Sequence, residues 1–425
     1  MEIIGITGSF GKSSLCYILS SYLKYIGKKV VCYSSIEIDS PKSDKTAHQS
    51  MEVVIKNKEV LESAIREANE YNADFLILEI NEEMIEKGIF DDVPFTYRVL
   101  TNIKRMDVKD DFDKYKEEIL SFLLHKNKEV EDKIILYLDC AMDISDFTKV
   151  KEESAKVVIT LGTRYICNKK GYEESDINYL MHETPDSIFS SINGLNFDIS
   201  TINNTFNIST NLIFPYNAIN ILEVYSIIND LKLLDKTKFI SFLKDINIPG
   251  RSEVIKINDR FIMISPTLSP ELEELYKLKE NGEINDIILV TASIGQGFST
   301  WEEKYNSKAH KEHLSRARKF SMEYASRYAN YIYLTSSDPA NSDPYEIASE
   351  MKSYINKESI DVIIDIDRYS AIKQAIINSR YNDFILISGR GNRSIYCIKD
   401  KMLHFTDSEL VKKALTEIGW YYEYK

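Results

Sequence analysis

The 425-residue chain exceeds the roughly 250–300 residues at which single hydrophobic cores stop growing, so two or three domains are expected. Its composition is globular, 44% hydrophobic and 28% charged. The net charge of -13 (53 basic against 66 acidic residues) argues against a general nucleic-acid binder, which needs a basic surface. No apolar run reaches the ~18 residues of a membrane span, and the first apolar stretch reads as a strand rather than a secretory leader. Cys16, Cys32, Cys140, Cys167 and Cys397 are scattered without a CxxC pair. A cytoplasmic protein with reduced thiols is therefore expected.

In chain order, "MEIIGITG" is a short apolar strand, and the stretch from Lys12 carries Leu15, Ile18, Leu19 and Leu23 at helical spacing up to Gly27, a C-cap. "KKVVCYSSIEI" is a second strand. Strand, Gly-rich turn, helix and strand open a parallel α/β sheet. Residues 40–51 are polar and loop-like, 58–71 form a helix, and 74–80, "DFLILEI", is a continuous apolar strand of the buried parallel type. "FTYRVLTNI" (95–103) is another strand; a helix and the strand "KIILYLDC" follow. Short β-like pieces fill 150–212, and 216–230 is a helix after the Pro215 turn. Pro-Gly punctuation in "NIPGRSE" marks a boundary. Beyond it "RFIMIS", "DIILVTAS", "YIYLTSS", "DVIIDID" and "DFILISG" alternate with helices as a second doubly wound unit. The fold class is thus α/β: a P-loop parallel-sheet domain over 1–247 and a smaller Rossmann-like domain over 248–425. There is no internal repeat and no low-complexity tract.

The first turn, "GITGSFGKSS", nearly meets the G-x-x-x-x-G-K-[ST] phosphate-loop pattern. Gly11, Lys12 and Ser13 fit, while Ile6 takes the place of the first glycine and Gly5 and Gly8 flank it. Gly8 and Gly11 let backbone amides approach a polyphosphate, and the helix beginning near Lys12 directs its positive end there. Lys12 would reach the terminal phosphates and Ser13 would hold Mg2+. The alternative is a strand–helix turn that binds nothing.

The same stretch is closer to G-x-T-G-T-N-G-K-[ST]-[ST], and with it the chain resembles the Mur ligases, the ATP-dependent, ADP-forming amide ligases that include peptidoglycan-precursor ligases and folylpolyglutamate synthetase. Further segments follow in the family's order: "FLILEI" ending near Glu79, "LTNIKRMD" (100–107), "YNAIN" (216–220), "IPGRSE" (248–253), "TSSDPANSDP" (335–344), "DRYSAI" (367–372) and "ISGRGNRS" (387–394). The last three resemble the branch that adds the third peptide residue to UDP-MurNAc-dipeptide. The resemblance implies ATP on Gly8, Ser9, Gly11, Lys12, Ser13, Ser14, Asn102, Asn217 and Arg251, and Mg2+ on Ser13, Glu79 and Asp107. It also implies catalytic roles for Lys12, Glu79 and Arg251, and an amine substrate at Asp338, Asn341, Arg390 and Arg393. A carboxylic acid would be activated as an acyl phosphate and attacked by an amino acid; a partner protein is left unidentified.

The chain also departs from the pattern. Peptidoglycan ligases carry a UDP-sugar domain before the P-loop; this chain starts at the P-loop, so that domain is expected to be absent and UDP-MurNAc-peptide is not the expected substrate. The family His of the T-N segment falls at Asp107, and the carbamylated Lys, four residues after a Tyr, falls at Ile119, with Lys116 nearby on another helix face. The ribose-binding Asp becomes Ser265. The Arg that grips diaminopimelate is missing from Asp338-Pro339-Ala340-Asn341, so another amine donor is expected. A degenerate nucleotide-binding pseudo-ligase is the rival reading. Locally, Glu79 has a salt-bridged structural alternative, Asn102 and Asn217 a turn or cap role, and Arg251 a boundary salt bridge. Glu82, Glu83 and Glu86 read as a solvated face, with Glu82 or Glu83 as an added metal ligand the alternative; the mixed run 310–319 also reads as a solvated face. "GQGFSTW" (295–301) reads as a surface loop, and Tyr421, Tyr422 and Tyr424 are left unassigned.

Overall fold

The computed structural model describes residues 1–42, 54–104, 112–125, 132–138, 142–154, 156–173, 177–181, 188–201, 205–296, 308–355, 360–399 and 401–420. The chain divides into two compact units; the first ends at Ile246 and the second runs from Asn247 to Lys425.

In the first unit, β1 (Glu2–Thr7), α1 (Lys12–Tyr25), β2 (Val30–Tyr33), β3 (Ile38–Asp39), α2 (Lys58–Glu70), β4 (Phe75–Glu79), α3 (Glu82–Glu86) and β5 (Tyr97–Leu100) are followed by α4 (Phe112–Leu124), β6 (Lys133–Tyr137), α5 (Ile144–Glu153), β7 (Val157–Thr163) and α6 (Arg164–Lys170). Then come β8 (Tyr179–Met181), β9 (Ile188–Ser191), β10 (Gly194–Thr201), β11 (Thr205–Thr210), α7 (Tyr216–Asp230) and α8 (Lys236–Lys244). The described strands form one sheet in the order β11-β10-β8-β7-β6-β5-β1-β4-β2-β3, with β9 beside β10. From β8 to β2 neighbours run parallel. Every residue of β4 and β5 is buried, as the unbroken apolar runs require of strands covered on both faces. On α1, Leu15, Ile18, Leu19, Tyr22 and Leu23 supply the buried face.

The chain leaves β1 for β2, returns to place β4 between them, and then sets β5 on the far side of β1. This reversal is a topological switch point, where open α/β sheets bind ligands beyond the carboxyl ends of their strands. Register fixes what lies there: Ile6 pairs with Glu79 and Thr7 with Leu100, so the turn after β1, the end of β4 and the segment after β5 lie side by side.

The second unit holds β12 (Glu253–Ile257), β13 (Arg260–Ile264), α9 (Ser269–Glu280), β14 (Ile287–Thr291), α10 (Lys308–Tyr328), β15 (Tyr331–Leu334), α11 (Pro344–Ser353), β16 (Asp361–Ile364), α12 (Arg368–Asn378), β17 (Phe384–Ile387), β18 (Ile395–Ile398), β19 (Lys401–His404) and α13 (Asp407–Glu417). Its sheet order is β12-β13-β17-β14-β15-β16, parallel except for β12; β18 and β19 form a separate hairpin. Both units are α/β, a P-loop parallel sheet followed by a Rossmann-like sheet. Among the described residues no helix is long and apolar enough to cross a membrane.

Candidate functional site

Gly8 and Gly11 adopt φ of 135° and 85°. A Cβ on Gly8 would stand 2.2 Å from Thr101 Oγ1, and one on Gly11 2.7 Å from Asn220 Oδ1, so both close approaches require glycine. Gly11 caps α1 without a side-chain hydrogen bond, and no acidic residue occupies the first turn. The positive pole of α1 therefore opens at Gly11 without a neutralising acid, an arrangement that favours an anion there.

The turn is held from behind by the segment after β5. Ser9 N donates to Asn102 O (2.9 Å), and Phe10 N to Asn102 Oδ1 (3.1 Å). Thr101 Oγ1 and Asn102 Nδ2 donate to Phe10 O (2.6 and 3.0 Å). Ser9 Oγ accepts from Lys104 N (2.8 Å) and meets Tyr115 OH at 2.8 Å. Asn102 is thus a clamp on the loop. Lys12 Nζ donates to Gly8 O at 2.6 Å, which keeps the cation against the loop.

Beside the lysine, Ser13 Oγ lies 2.6 Å from Ser35 Oγ and donates to Glu79 Oε1 at 3.0 Å. Ser35 N donates to Glu79 Oε2 at 2.7 Å. Glu79 is 7% exposed. Two hydroxyls and one carboxylate are hard oxygen donors of the kind that suit Mg2+, which keeps several waters and takes one or two carboxylates. Ser35 carries no motif and was missed in the sequence; only the β2–β4 pairing, with Tyr33 opposite Leu78, brings it to Glu79. Asp107 lies outside the described residues. Among those described, no cluster of three or more His, Cys, Asp or Glu forms a metal site.

On α7, Asn217 is buried with its Nδ2 unpartnered, and one turn on Asn220 abuts Gly11. Ile119 is fully buried, and Lys116 donates to Asp146 Oδ2 at 2.7 Å, an ion pair that takes its amine out of play. Of the acidic run, Glu83 pairs with Lys87 and Glu86 with Lys114 at the surface, as a solvated face does.

In the second unit, residues 335–342 follow β15 and 388–394 follow β17. Asp338, at φ 43°, accepts from Arg390 Nη1 (3.0 Å), Arg393 Nη1 (2.6 Å) and Cys397 N (3.0 Å). Arg393 also donates to Ser337 Oγ and Gly389 O. Burial, with Arg390 and Arg368 adding to it against the pull of Asp338, lowers the Arg393 guanidinium to about 10. Arg368 is held by Asp407 through two hydrogen bonds (2.6 and 2.7 Å). Three of the four amine-site candidates, Asp338, Arg390 and Arg393, are in direct contact. Asn341 sits exposed nearby on the same loop, its backbone N–H donating to Gln296 O (3.4 Å).

Two residues escaped the sequence reading here. Arg318, within the run read as a solvated face, is 8% exposed and grips Glu350 Oε2 (2.5 Å), Ser293 Oγ (3.2 Å) and Ile294 O (2.8 Å), bracing the loop after β14. Ser265, which replaces an expected acid, donates to Glu271 Oε1 (2.6 Å), as does Thr267 Oγ1 (2.9 Å). Glu271 therefore brings a buried carboxylate to that turn. Burial raises its pKa, and the hydroxyls and Arg251 act against the rise. Gly250 N donates to Glu253 Oε2 (2.9 Å), and a Cβ on Gly250 would stand 2.2 Å from Asn392 N. The Pro-Gly turn carrying Arg251 is therefore built into the second unit.

An uncapped glycine-rich turn at a sheet switch point, with a lysine and a hydroxyl–carboxylate cluster beside it, defines a P-loop nucleotide-binding protein. Residues 6–227 match the Mur ligase middle domain. The chain belongs to the Mur ligase family, the ADP-forming ligases that join an acid to an amino acid. It is 22% identical over 442 residues to the UDP-N-acetylmuramoyl-L-alanyl-D-glutamate--2,6-diaminopimelate ligase of Prochlorococcus marinus subsp. pastoris, covering 98% of this chain and 78% of that one. Among solved structures, it resembles MurF ligase from Thermotoga maritima in complex with ADP (TM-score 0.60, 14% identity, 98% and 79% of the two chains). It also resembles folylpolyglutamate synthase from the same organism (TM-score 0.60, 14% identity, 92% and 86%).

Proposed function

We propose that the chain transfers the γ-phosphate of ATP to a substrate carboxylate and joins the resulting acyl phosphate to an amino acid, releasing ADP and phosphate with an amide product. The observation that carries this reading is the convergence of Ser13, Ser35 and Glu79 beside Lys12 at the uncapped start of α1. The Gly8–Ser14 turn cradles the polyphosphate at the start of α1, while Asn102 takes the amides of Ser9 and Phe10 and keeps that turn in shape. Lys12 leaves Gly8 O to meet the terminal phosphates and neutralise charge developing there. Ser13, Ser35 and Glu79 would hold Mg2+, with Asp107 as a further oxygen donor; the ion supplies charge neutralisation at the phosphate oxygens. Asn217, with its buried unpartnered amide, is the contact for the nucleotide base, and Arg251 is assigned to its phosphates. Glu271 supplies the carboxylate that Ser265 lacks.

The amine donor is assigned to the second domain (248–425), at Asp338, Asn341, Arg390 and Arg393. Three buried arginines against Asp338 and Asp407 leave one positive charge in excess, which favours a donor carrying a carboxylate. Diaminopimelate, carried in the name of the relative, is disfavoured: the arginine that the resemblance places in this loop to grip its distal carboxylate is missing from Asp338-Pro339-Ala340-Asn341, and both Arg390 and Arg393 already hold Asp338.

The test is ADP release from Mg-ATP with pooled amino acids, each combined with pooled carboxylic acids. ADP that appears only with both, and disappears in Lys12→Ala, supports the ligase. ATP binding with no ADP under any combination supports the nucleotide-binding pseudo-ligase, a reading favoured by Ile119 at the position where the resemblance places a modified lysine.

A further inference from the structure

Within the phosphate turn, one side chain is a large apolar group with no means of holding phosphate. Phe10 lies between Ser9 and Gly11, two residues before Lys12. Its backbone is fully committed: the N–H goes to Asn102 Oδ1, and the carbonyl accepts from both Thr101 Oγ1 and Asn102 Nδ2. Yet the residue is 42% exposed, in a turn otherwise made of glycine, serine and lysine. A single exposed aromatic is ordinary on a protein surface. An aromatic whose main chain is fixed by three hydrogen bonds, on the turn assigned to the terminal phosphates, presents apolar surface from a backbone position that is already set. The backbone share of its ordering cost is met before any ligand arrives.

We infer that Phe10 is a specificity-determining contact for the acid substrate, packing against a hydrocarbon segment that carries the reacting carboxylate. This rests on the ligase reading, in which that carboxylate must approach the γ-phosphate in line and hence come to the Lys12 end of the turn. The class of acid it selects has methylene or aromatic carbon next to the carboxylate. Acids with hydroxyl or charged groups there are discriminated against, because an apolar wall leaves such groups without partners. The ring also shields the acyl phosphate from water on the side it covers.

The experiment uses the full chain and matched acid pairs differing only by a hydroxyl on the carbon next to the carboxylate, each presented with Mg-ATP and the amino-acid pool. Wild type turns over the unsubstituted member in preference. Phe10→Ala raises the KM for that acid about tenfold, in line with loss of most of a buried aromatic contact, and leaves the ADP dissociation constant within about twofold. Phe10→Leu keeps most of the preference, and Phe10→Ser narrows or reverses it. The share of ADP formed without amide rises in Phe10→Ala as the intermediate meets water. An unchanged acid KM and preference in Phe10→Ala, with wild type active, overturns this inference and leaves the ligase reading standing. Parallel loss of ADP binding shows that the ring serves the turn's structure instead, and also overturns it. If wild type releases no ADP with any acid, the ligase reading fails, and this inference with it.

Discussion

Ser13 and Glu79 are joined by a 3.0 Å hydrogen bond from the hydroxyl of the first helix to the carboxylate ending β4. Sixty-six positions separate them in sequence, and the β1–β4 register closes the gap. With Ser35 they form an oxygen cluster whose only acid is Glu79. Glu79→Gln keeps the shape, removes the charge and gives Ser13 and Ser35 an amide partner. ADP formation is expected to fall roughly 100-fold or more, and the Mg2+ concentration needed for half-maximal rate to rise, as when a ligand-shell group is lost. Ser35→Ala should have a smaller effect in the same direction. Titrating ADP formation against Mg2+ checks both; a Glu79→Gln variant with unchanged Mg2+ dependence would overturn the metal assignment.

The phosphate turn was legible because glycine spacing, a strand before it and helical periodicity after it all describe one local object. Glu79 was legible because a carboxylate ending an apolar strand is costly without a partner. Ser35 was not: a serine after a strand has no signature, and its meaning comes from a carboxylate 44 positions further along the chain. Arg318 was hidden in a run of mixed charge, where periodicity alone does not say which cation turns inward. Glu271 was equally silent, since its relation to Ser265 depends on how α9 leaves its turn. Both sheets were visible as alternating apolar strands and helices, but the order that sets β4 between β1 and β2, and β17 between β13 and β14, is a non-local fact.

Glu223 presents a stability test. It lies fully buried on α7, neither carboxylate oxygen has a hydrogen-bond partner, and burial pushes its pKa well above the ordinary value. A carboxyl with a raised folded pKa favours folding fully below its unfolded pKa, about 4.3. That contribution is lost as pH rises from there towards the folded pKa, because the unfolded chain ionises and the folded one does not, at up to about 1.4 kcal/mol per pH unit. Glu223→Leu removes this pH dependence. The variant should gain stability over wild type, with a larger gain at pH 8 than at pH 5, by urea denaturation at both. An equal gain at both values would mean that Glu223 is not held protonated.

Gly250 and Gly282 share similar backbones, with φ of 61° and 75°, but not similar surroundings. A Cβ on Gly282 meets nothing within 4 Å, whereas on Gly250 it collides with the main chain of Asn392. Gly282→Ala should cost about 1–2 kcal/mol, the left-handed penalty alone. Gly250→Ala must also push apart the loop carrying Arg251 and the loop carrying Arg390, and should cost clearly more. Denaturant midpoints of the two variants make the comparison; equal costs would show that these loops separate freely.

Asp338 receives both Arg390 and Arg393, so its removal leaves two buried guanidiniums facing one another. Asp338→Asn should destabilise the chain by about 3–5 kcal/mol, the usual penalty for breaking a buried ion pair from one side. Most of that penalty belongs to the uncompensated charge and not to the lost hydrogen bonds. Adding Arg393→Met to Asp338→Asn should therefore recover some of the loss, giving a double variant less destabilised than the sum of the two single changes. Chemical denaturation of the four proteins completes the cycle. Simple additivity would mean that Asp338 and Arg393 are not coupled, and would undercut the buried charge cluster on which the choice of a carboxylate-bearing amine donor depends.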